Sequence, residues 1–195
     1  MKAGPQKKKS HQAPEGAAAR ARSWLVAKGP VLNFGLKFGA LMALFYAVSL
    51  VPFFDRLLYV YLAANARLSG AILNWFGQAS HVSEVTIRSA RFAISVRRGC
   101  DAIEPAWFFC AAVLSFPAPW ARKIPGLLAG AALILVMNLA RIVSLFLIGV
   151  YSPRFFSVAH LEIWPVLFIL AAILFWAIWI KWSRRHEPMQ EHAAA

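Results

Sequence analysis

The chain has 195 residues, of which 60% are hydrophobic and 15% are charged. Its mean hydropathy is +0.58, and its apolar residues occur in runs long enough to cross a bilayer, for which roughly 20 residues are needed. This composition excludes an intrinsically disordered chain, a coiled coil, a disulfide-rich secreted module and an ordinary soluble domain, in which apolar residues make up roughly half of the chain. The sequence therefore predicts a small integral membrane protein.

The charge distribution is strongly basic, with 21 Lys and Arg against 8 Asp and Glu and a formal net charge of +13. Basic residues cluster in residues 1–28 and after the last apolar run, which is typical of the cytoplasmic face of a membrane protein. No interleaved aromatic residues accompany them, so we do not expect nucleic acid as a partner. Residues 1–28 have no apolar periodicity and are predicted to form a disordered cytoplasmic tail.

Four apolar segments predict an all-α polytopic membrane protein with at least four transmembrane helices. The first is expected to end where Pro52 and Asp55 occur, and the second is short unless Cys100 lies at membrane depth. A single membrane domain of residues 29–183 would contain all four, followed by a cytoplasmic tail of residues 184–195. The predicted spans cover residues 31–54, 102–116, 124–150 and 161–182.

Two further features are predicted between the first and second spans. Residues 57–76 mix apolar residues with Asn and Arg, which is typical of an amphipathic helix in the membrane interface. A pair of helices that dips into the bilayer is the alternative for residues 57–80. Residues 82–98 alternate between apolar and polar side chains, and this pattern predicts a small β-hairpin with its turn at residues 88–91.

The basic residues of the short loops predict the orientation in the membrane. With both termini in the cytoplasm, the cytoplasmic segments contain twelve Lys and Arg, whereas the outer segments contain seven, together with four of the eight acidic residues. We therefore expect both ends to be cytoplasmic.

Two polar residues interrupt the third predicted span. An ionisable residue such as Arg141 is costly in a membrane helix and is a functional-site hypothesis by default. Asn138 lies three residues earlier on the same helix face, where its amide is expected to support the guanidinium. An arginine that extends to the outer interface is the structural alternative.

Cys100 and His160 are predicted at the outer starts of the second and fourth spans, and Arg141 lies in the outer half of the third. The three residues would converge on one membrane face and supply a nucleophile, an acid or base and a cation for an oxyanion. Arg97, Arg98 and the start of the helix are expected to favour the thiolate of Cys100. This combination indicates acyl transfer or peptide cleavage at the outer surface.

The second cysteine, Cys110, has a different expected role. It would lie about 15 Å from Cys100 along one helix, beyond the reach of a disulfide, and is interpreted as a small buried hydrophobic residue. The sequence contains no metal-ligand cluster, phosphate loop or nucleotide motif, so no metal and no cofactor are expected.

The order of these motifs resembles the exosortase/archaeosortase family of membrane transpeptidases over about residues 90–182. The short length and the Phe-Pro-Ala-Pro-Trp turn at 116–120 are most similar to the exosortase H subfamily, which acts on proteins with an IPTLxxWG-type C-terminal signal. The matching stretches are Arg-Gly-Cys-Asp-Ala-Ile-Glu at 98–104, Asn-Leu-Ala-Arg-Ile at 138–142 and Ala-His-Leu at 159–161.

The resemblance implies a cysteine protease or transpeptidase of the bacterial inner membrane, with its active site facing the periplasm. Its partners would be membrane lipids and exported proteins whose C-terminal signal consists of a short motif, a transmembrane helix and a basic tail. Cys100 would be the nucleophile, His160 the general acid and base, and Arg141 the transition-state stabiliser. The supporting residues would be Asn138, Arg97, Arg98 and Glu104.

The chain departs from the commoner family pattern directly after the cysteine. A small or amide residue is expected there, and the sequence has Asp101 and Ala102. A carboxylate beside the sulfur opposes thiolate formation.

Two other functions are less favoured by the sequence. In a non-enzymatic membrane subunit or small transporter, Asn138 and Arg141 would line a polar path, but no internal repeat and no second intramembrane charge accompany them. A rhomboid-type serine protease would need a Gly-x-Ser-x-Gly motif, which the sequence lacks.

Overall fold

A computed structural model describes residues 15–185, with side chains described from residue 28 onward. The described chain is mainly helical and contains one small antiparallel sheet, so the prediction of an all-α polytopic membrane fold with a β-hairpin is confirmed. The helices are α1 (Glu15–Ser49), α2 (Pro52–Trp75), α3 (Ile103–Ser115), α4 (Trp120–Tyr151), α5 (Phe156–Val158) and α6 (Trp164–Arg185).

Three helical segments within the described residues are long and apolar enough to cross a membrane. They are Lys28–Ser49, Trp120–Tyr151 and Pro153–Arg185. The predicted second span, residues 102–116, is instead the 13-residue helix α3. At about 20 Å it is shorter than a hydrocarbon core of about 30 Å. The described part of the chain therefore contains three full-length spans rather than the predicted four.

The ends of α1 differ from the prediction. The helix already includes residues 15–28, which were assigned to the disordered tail; residues 1–14 and 186–195 of the two predicted tails lie outside the described residues. It ends at Ser49, and Pro52 begins α2 instead of ending a longer first span. Proline is favoured in the first turn of a helix because the N–H that it lacks would have no helical partner there.

Helix α2 covers residues 57–75 of the predicted amphipathic segment 57–76 and begins five residues earlier. Its position in the membrane interface remains a prediction. One face packs against α4 and the sheet, since its inward residues recur at a spacing of three or four. The buried residues of this face are Leu58, Leu62, Asn65, Ala66, Ser69, Gly70 and Leu73.

The predicted β-hairpin is part of a three-stranded sheet. Strands β1 (His81–Ser83), β2 (Thr86–Arg88) and β3 (Ala93–Ser95) are antiparallel in the order β1-β2-β3. The β2–β3 hairpin pairs Ile87 with Ile94, as the alternation of apolar residues predicted, whereas β1 was not expected. The fully buried Ile87 belongs to the core that α2 and α4 share. The sheet therefore covers the α2–α4 pair.

Helix α3 lies in contact with α1, α4 and α6 and carries a second apolar core. Phe109 of α3 is buried against Gly130 of α4 so closely that a Cβ atom at residue 130 would overlap its ring. Glycine is therefore required at this position by the close approach of the two helices.

We predict that Gly130→Ala lowers the unfolding temperature of the detergent-solubilised protein, because overpacking a core of this kind costs about 1–3 kcal/mol. The matched control is Gly39→Ala, since a Cβ at residue 39 of α1 meets no atom within 4 Å. That variant should be neutral or more stable, by about 0.5–1 kcal/mol from helix propensity. Equal stability of the two variants would contradict close packing at Gly130.

Candidate active site

The hairpin formed by α4 and the helical segment after it brings Arg141 and His160 together. The chain turns at Ser152, the C-cap of α4, and the two residues lie eleven positions before and eight positions after it. In an antiparallel helix pair such positions face each other at a similar depth. At about 1.5 Å per residue, Arg141 lies about 15 Å along the axis from the end of α4 at Tyr151.

His160 lies in a short π-helical turn, Ala159–Ile163, directly before α6. Pro165 has no N–H to donate to the carbonyl of Leu161, and its ring crowds that carbonyl, so regular α-helical pairing is interrupted in this turn. Such π-turns are frequent at functional sites. The proline five residues after His160 is the sequence signal for this irregularity, and our sequence analysis did not use it.

Cys100 lies in the segment that joins β3 to α3. Its backbone N–H donates to the carbonyl of Arg97 at 2.9 Å, and residues on both sides have left-handed conformations, Gly99 with φ +88° and Ala102 with φ +58°. The left-handed conformation is uncommon for a residue with a side chain. The left-handed conformations of Gly99 and Ala102 turn the chain on both sides of Cys100 and place its thiol at the start of α3.

The Asp101 side chain occupies the N-terminus of α3, where its Oδ1 accepts a hydrogen bond from the N–H of Ile103 at 3.0 Å. The positive end of the helix therefore faces a carboxylate, which is the favoured arrangement. The prediction that this N-terminus would stabilise the Cys100 thiolate is wrong, because Asp101 takes that position.

Three of the predicted site residues meet at the Cys100 sulfur. Its Sγ lies 3.6 Å from His160 Nε2 and 4.0 Å from Nδ1, and Arg141 Nη2 lies 3.9 Å from it on a different helix. A thiol, an imidazole and a guanidinium are thus in mutual reach. This arrangement can deprotonate a sulfur nucleophile and stabilise negative charge next to it.

Aromatic rings hold the imidazole and the guanidinium in place. The Phe156 ring stacks on His160 with centroids 5.7 Å apart, and Arg141 Cζ lies 5.8 Å from the Phe168 ring centroid. Trp164 donates to Ser144 Oγ at 3.1 Å, and that hydroxyl donates to the Arg141 carbonyl at 3.0 Å. These contacts link the π-turn region to the helix that carries Arg141.

Arg141 is buried, with a side chain that is 6% exposed. Its Nε–H has no hydrogen-bond partner among the described residues. A buried donor without a partner costs about 1–3 kcal/mol, so this group is available for an acceptor that enters the site.

The pKa of the Cys100 thiol is raised above its ordinary value, mainly because the side chain is half-buried. The Arg141 guanidinium opposes this shift, and the Asp101 carboxylate adds to it. The prediction of a favoured thiolate is therefore wrong for the free protein. At neutral pH the sulfur keeps its proton until a base takes it.

The two arginines that were expected to act on the thiol do not do so. Arg98 forms an ion pair with Asp55 and lies over the Phe54 ring, while Arg97 is exposed. The cation next to the sulfur is Arg141 from α4. Arg97 and Arg98 are close to Cys100 in sequence, but the turn between β3 and Cys100 directs their side chains away from the sulfur.

The other two supporting residues lie elsewhere than expected. Asn138 donates to Asn65 Oδ1 of α2 at 3.1 Å, so its amide is committed across the helix interface. Glu104 is exposed on α3 and lines two neighbouring clefts, of about 230 and 400 Å³. The smaller cleft is bordered by Gly99 and Asp101, the residues on either side of Cys100.

Tyr61 and Asn65 of α2 belong to the surroundings of the site and were not singled out from the sequence. Tyr61 Oη donates to the Asp101 carbonyl at 2.9 Å. The two polar residues are four positions apart on an otherwise apolar helix face, and this spacing was the available signal. Within residues 28–185, whose side chains the structure describes, no group of three His, Cys, Asp or Glu side chains is placed to hold a metal ion.

We predict opposite effects on the titration of Cys100 from its two charged neighbours. In a Cys110→Ala background, Asp101→Asn keeps an oxygen for the Ile103 N–H and removes the charge, so alkylation by iodoacetamide should begin at lower pH. Arg141→Gln removes the charge that lowers the thiol pKa, so alkylation should begin at higher pH. Alkylation rate against pH, followed by mass spectrometry, measures both shifts; shifts in the same direction would contradict this electrostatic arrangement.

One family model matches most of the chain. The family model described as transmembrane exosortase matches residues 19–177, a stretch that contains Cys100, Arg141 and His160. No significant match was found among curated proteins or among solved structures. The match spans most of the chain, and the chain belongs to the transmembrane exosortase family.

Proposed function

We propose that this protein is a cysteine transpeptidase or protease that cleaves the C-terminal sorting signal of exported proteins at the outer face of the bacterial inner membrane. The observation that carries the proposal is the meeting of Cys100, His160 and Arg141 within 4.0 Å of one sulfur. The three residues come from distant parts of the sequence. Family membership supports the same class of reaction.

In the proposed reaction, Cys100 Sγ attacks the carbonyl carbon of the scissile peptide bond. A carbon–sulfur bond forms, and His160 takes the thiol proton as the attack proceeds. The carbon–nitrogen bond then breaks, and His160 donates its proton to the departing amine. The product is a thioester that joins the exported protein to Cys100.

The second half of the reaction releases the thioester. An amine or water attacks its carbonyl carbon, His160 accepts the proton of the attacking group, and the proton returns to the sulfur as the carbon–sulfur bond breaks. The raised pKa of the Cys100 thiol favours this general-base route over a preformed thiolate. No cofactor takes part in the proposed steps.

Arg141 would stabilise the tetrahedral oxyanion in both halves. Its guanidinium lies beside the sulfur, and its Nε–H is buried without a partner among the described residues. Electrostatic stabilisation is strongest at a water-poor site whose donors are already in place. The oxyanion is the acceptor that this donor lacks in the free protein.

The proposed substrate carries a short motif of the IPTLxxWG type, a transmembrane helix and a basic tail. The cleft of about 400 Å³ between α1, α3 and α6 supports access for an apolar segment from the bilayer. Phe168, whose ring contacts the Arg141 guanidinium, also lines this cleft. Substrate that enters along α6 would thus arrive next to the site.

A non-enzymatic subunit or transporter is the alternative function, in which Asn138 and Arg141 would line a polar path. Asn138 is 0% exposed and paired with Asn65, and Arg141 is enclosed by Cys100 and Phe168. These contacts favour a closed reaction site over a water-filled path.

Co-expression with a reporter that carries such a signal tests the proposal. Cys100→Ser should reduce processing at least 100-fold at normal protein level, because a hydroxyl is far harder to deprotonate than a thiol. His160→Ala should be about as damaging, and the double variant scarcely worse, since groups that act as a unit are not additive. Reporter cleavage is followed by immunoblot.

Cys110→Ala is the matched control, because Cys110 packs against the second apolar core at a distance from the site. It should process the reporter at near wild-type rate. Near wild-type processing by Cys100→Ser would exclude acyl-enzyme chemistry, and so would independent, multiplying defects at Cys100 and His160.

The proposed orientation places both termini in the cytoplasm and the Ser152 turn outside. Together with the three full-length spans, it requires a fourth crossing between α2 and α4, where the short helix α3 lies. In a background without Cys100 and Cys110, Ser152→Cys should react with a membrane-impermeant maleimide once the outer membrane is permeabilised. Ala121→Cys, at the exposed start of α4, should react only after the inner membrane is opened. The reverse pattern would place the site on the cytoplasmic side and away from exported substrates.

A further inference from the structure

Helices α2 and α4 are joined by a pair of buried amides. Asn65 is 1% exposed and Asn138 is 0% exposed, and Asn138 Nδ2 donates to Asn65 Oδ1 at 3.1 Å. Many residues around them in this interface are apolar, among them Leu62, Ala66 and Ile142, and the buried hydroxyl of Ser69, one turn along α2, has no hydrogen-bond partner among the described residues. Apolar packing is non-directional, so the amide pair is the directional contact in this part of the interface.

The amide pair sets the register of the two helices. A slide of one helical turn, about 5.4 Å, would leave both amides buried without each other. A buried polar group that loses its hydrogen-bond partner is destabilising. A single buried Asn position specifies the register of a coiled coil in the same way.

Tyr61 connects this interface to the nucleophile. Asn65 Nδ2 donates to the Tyr61 carbonyl at 2.9 Å, one turn earlier on α2. The Tyr61 hydroxyl donates to the carbonyl of Asp101 at 2.9 Å. Asp101 directly follows Cys100, so this hydrogen bond ties the backbone of the nucleophile to α2.

The contacts close into a ring. The ring runs from Arg141 along one turn of α4 to Asn138, across to Asn65, along α2 to Tyr61, and through Asp101 to Cys100. The sulfur then lies 3.9 Å from Arg141 Nη2, which completes it. A shift in any link moves the sulfur relative to the guanidinium.

We infer that Tyr61, Asn65 and Asn138 are positioning residues that fix the Cys100 sulfur against Arg141 through hydrogen bonds between α2 and α4. None of the three contacts the sulfur in the structure, and none is assigned a catalytic step. The expected effect on substrate processing rests on the proposed function. The expected position of the sulfur does not, and it is tested by the pH dependence of Cys100 alkylation.

The test is the pH dependence of Cys100 alkylation by iodoacetamide in a Cys110→Ala background. The charged and titratable groups beside the sulfur are Arg141, Asp101 and His160. Tyr61→Phe changes none of these groups and removes only the hydroxyl. If the hydroxyl holds Cys100 near Arg141, alkylation in Tyr61→Phe should begin at higher pH, as it does in Arg141→Gln.

Two further variants make the readout specific. Tyr61→Phe combined with Arg141→Gln should titrate like Arg141→Gln alone. Both changes act on the interaction between the thiol and the Arg141 guanidinium, which Arg141→Gln already removes. Tyr59→Phe, an exposed tyrosine of the same helix, should titrate like the parent. Parental titration in Tyr61→Phe would overturn the inference.

The amide pair is tested by the double variant Asn65→Leu with Asn138→Leu. Replacing both partners by apolar groups is often neutral for stability, so the protein should fold with an unchanged unfolding temperature while its titration shifts to higher pH. A stable double variant with parental titration would overturn the role of the pair. A drop in stability together with parental titration would overturn it as well, because the role would then be structural alone.

Processing of the reporter gives the second readout. Tyr61→Phe should lower kcat about 10–100-fold with little change in KM, since small misplacements of reacting groups have effects of this size. Parental kcat in Tyr61→Phe would contradict the inference. If the parent itself processes no reporter, the proposed function fails, while the titration still decides whether Tyr61 positions the thiol.

Discussion

The burial of the Arg141 guanidinium is the constraint on which the rest of the structure depends. Translocon-based scales assign an arginine at the centre of a membrane helix a cost of about 2.5–3.5 kcal/mol. Arg141 is nearly enclosed, and its described neighbours are the Cys100 sulfur, the Phe168 ring and the elements that carry them. The fold must therefore bring the Cys100 sulfur from the segment before α3 and the Phe168 ring from α6 to the level of Arg141 on α4.

Two irregular backbone segments bring side chains close to Arg141. The chain before α3 reverses twice around Cys100, and the segment before α6 widens into a π-turn at His160. Helix α3 is shorter than the hydrocarbon core and packs against α1, α4 and α6. Asp101 and Ala102, which directly precede it, are buried, and the Cys100 thiol lies beside them, next to the guanidinium.

Sequence patterns predicted the membrane class, the β-hairpin and the meeting of Cys100, Arg141 and His160, because hydropathy and polar residues within apolar runs are local signals. They failed where the outcome depended on tertiary contacts. Arg98 was expected to stabilise the Cys100 thiolate but pairs with Asp55 instead. The N-terminus of α3 was expected to do the same but binds the Asp101 carboxylate. Asn65 received no role because its partner is 73 positions away in the chain.

The depth of Arg141, about 15 Å below the end of α4, has a consequence for the fate of a thioester formed there. Water is scarce at the level of the hydrocarbon, so spontaneous hydrolysis of the enzyme-bound intermediate would be slow. In the proposed reaction, a nucleophile that partitions into the bilayer would reach the sulfur more readily than water does. A recessed thiol would thus bias the competition between the two acceptors toward the one that the membrane delivers, and the bond energy of the thioester would be conserved for transfer.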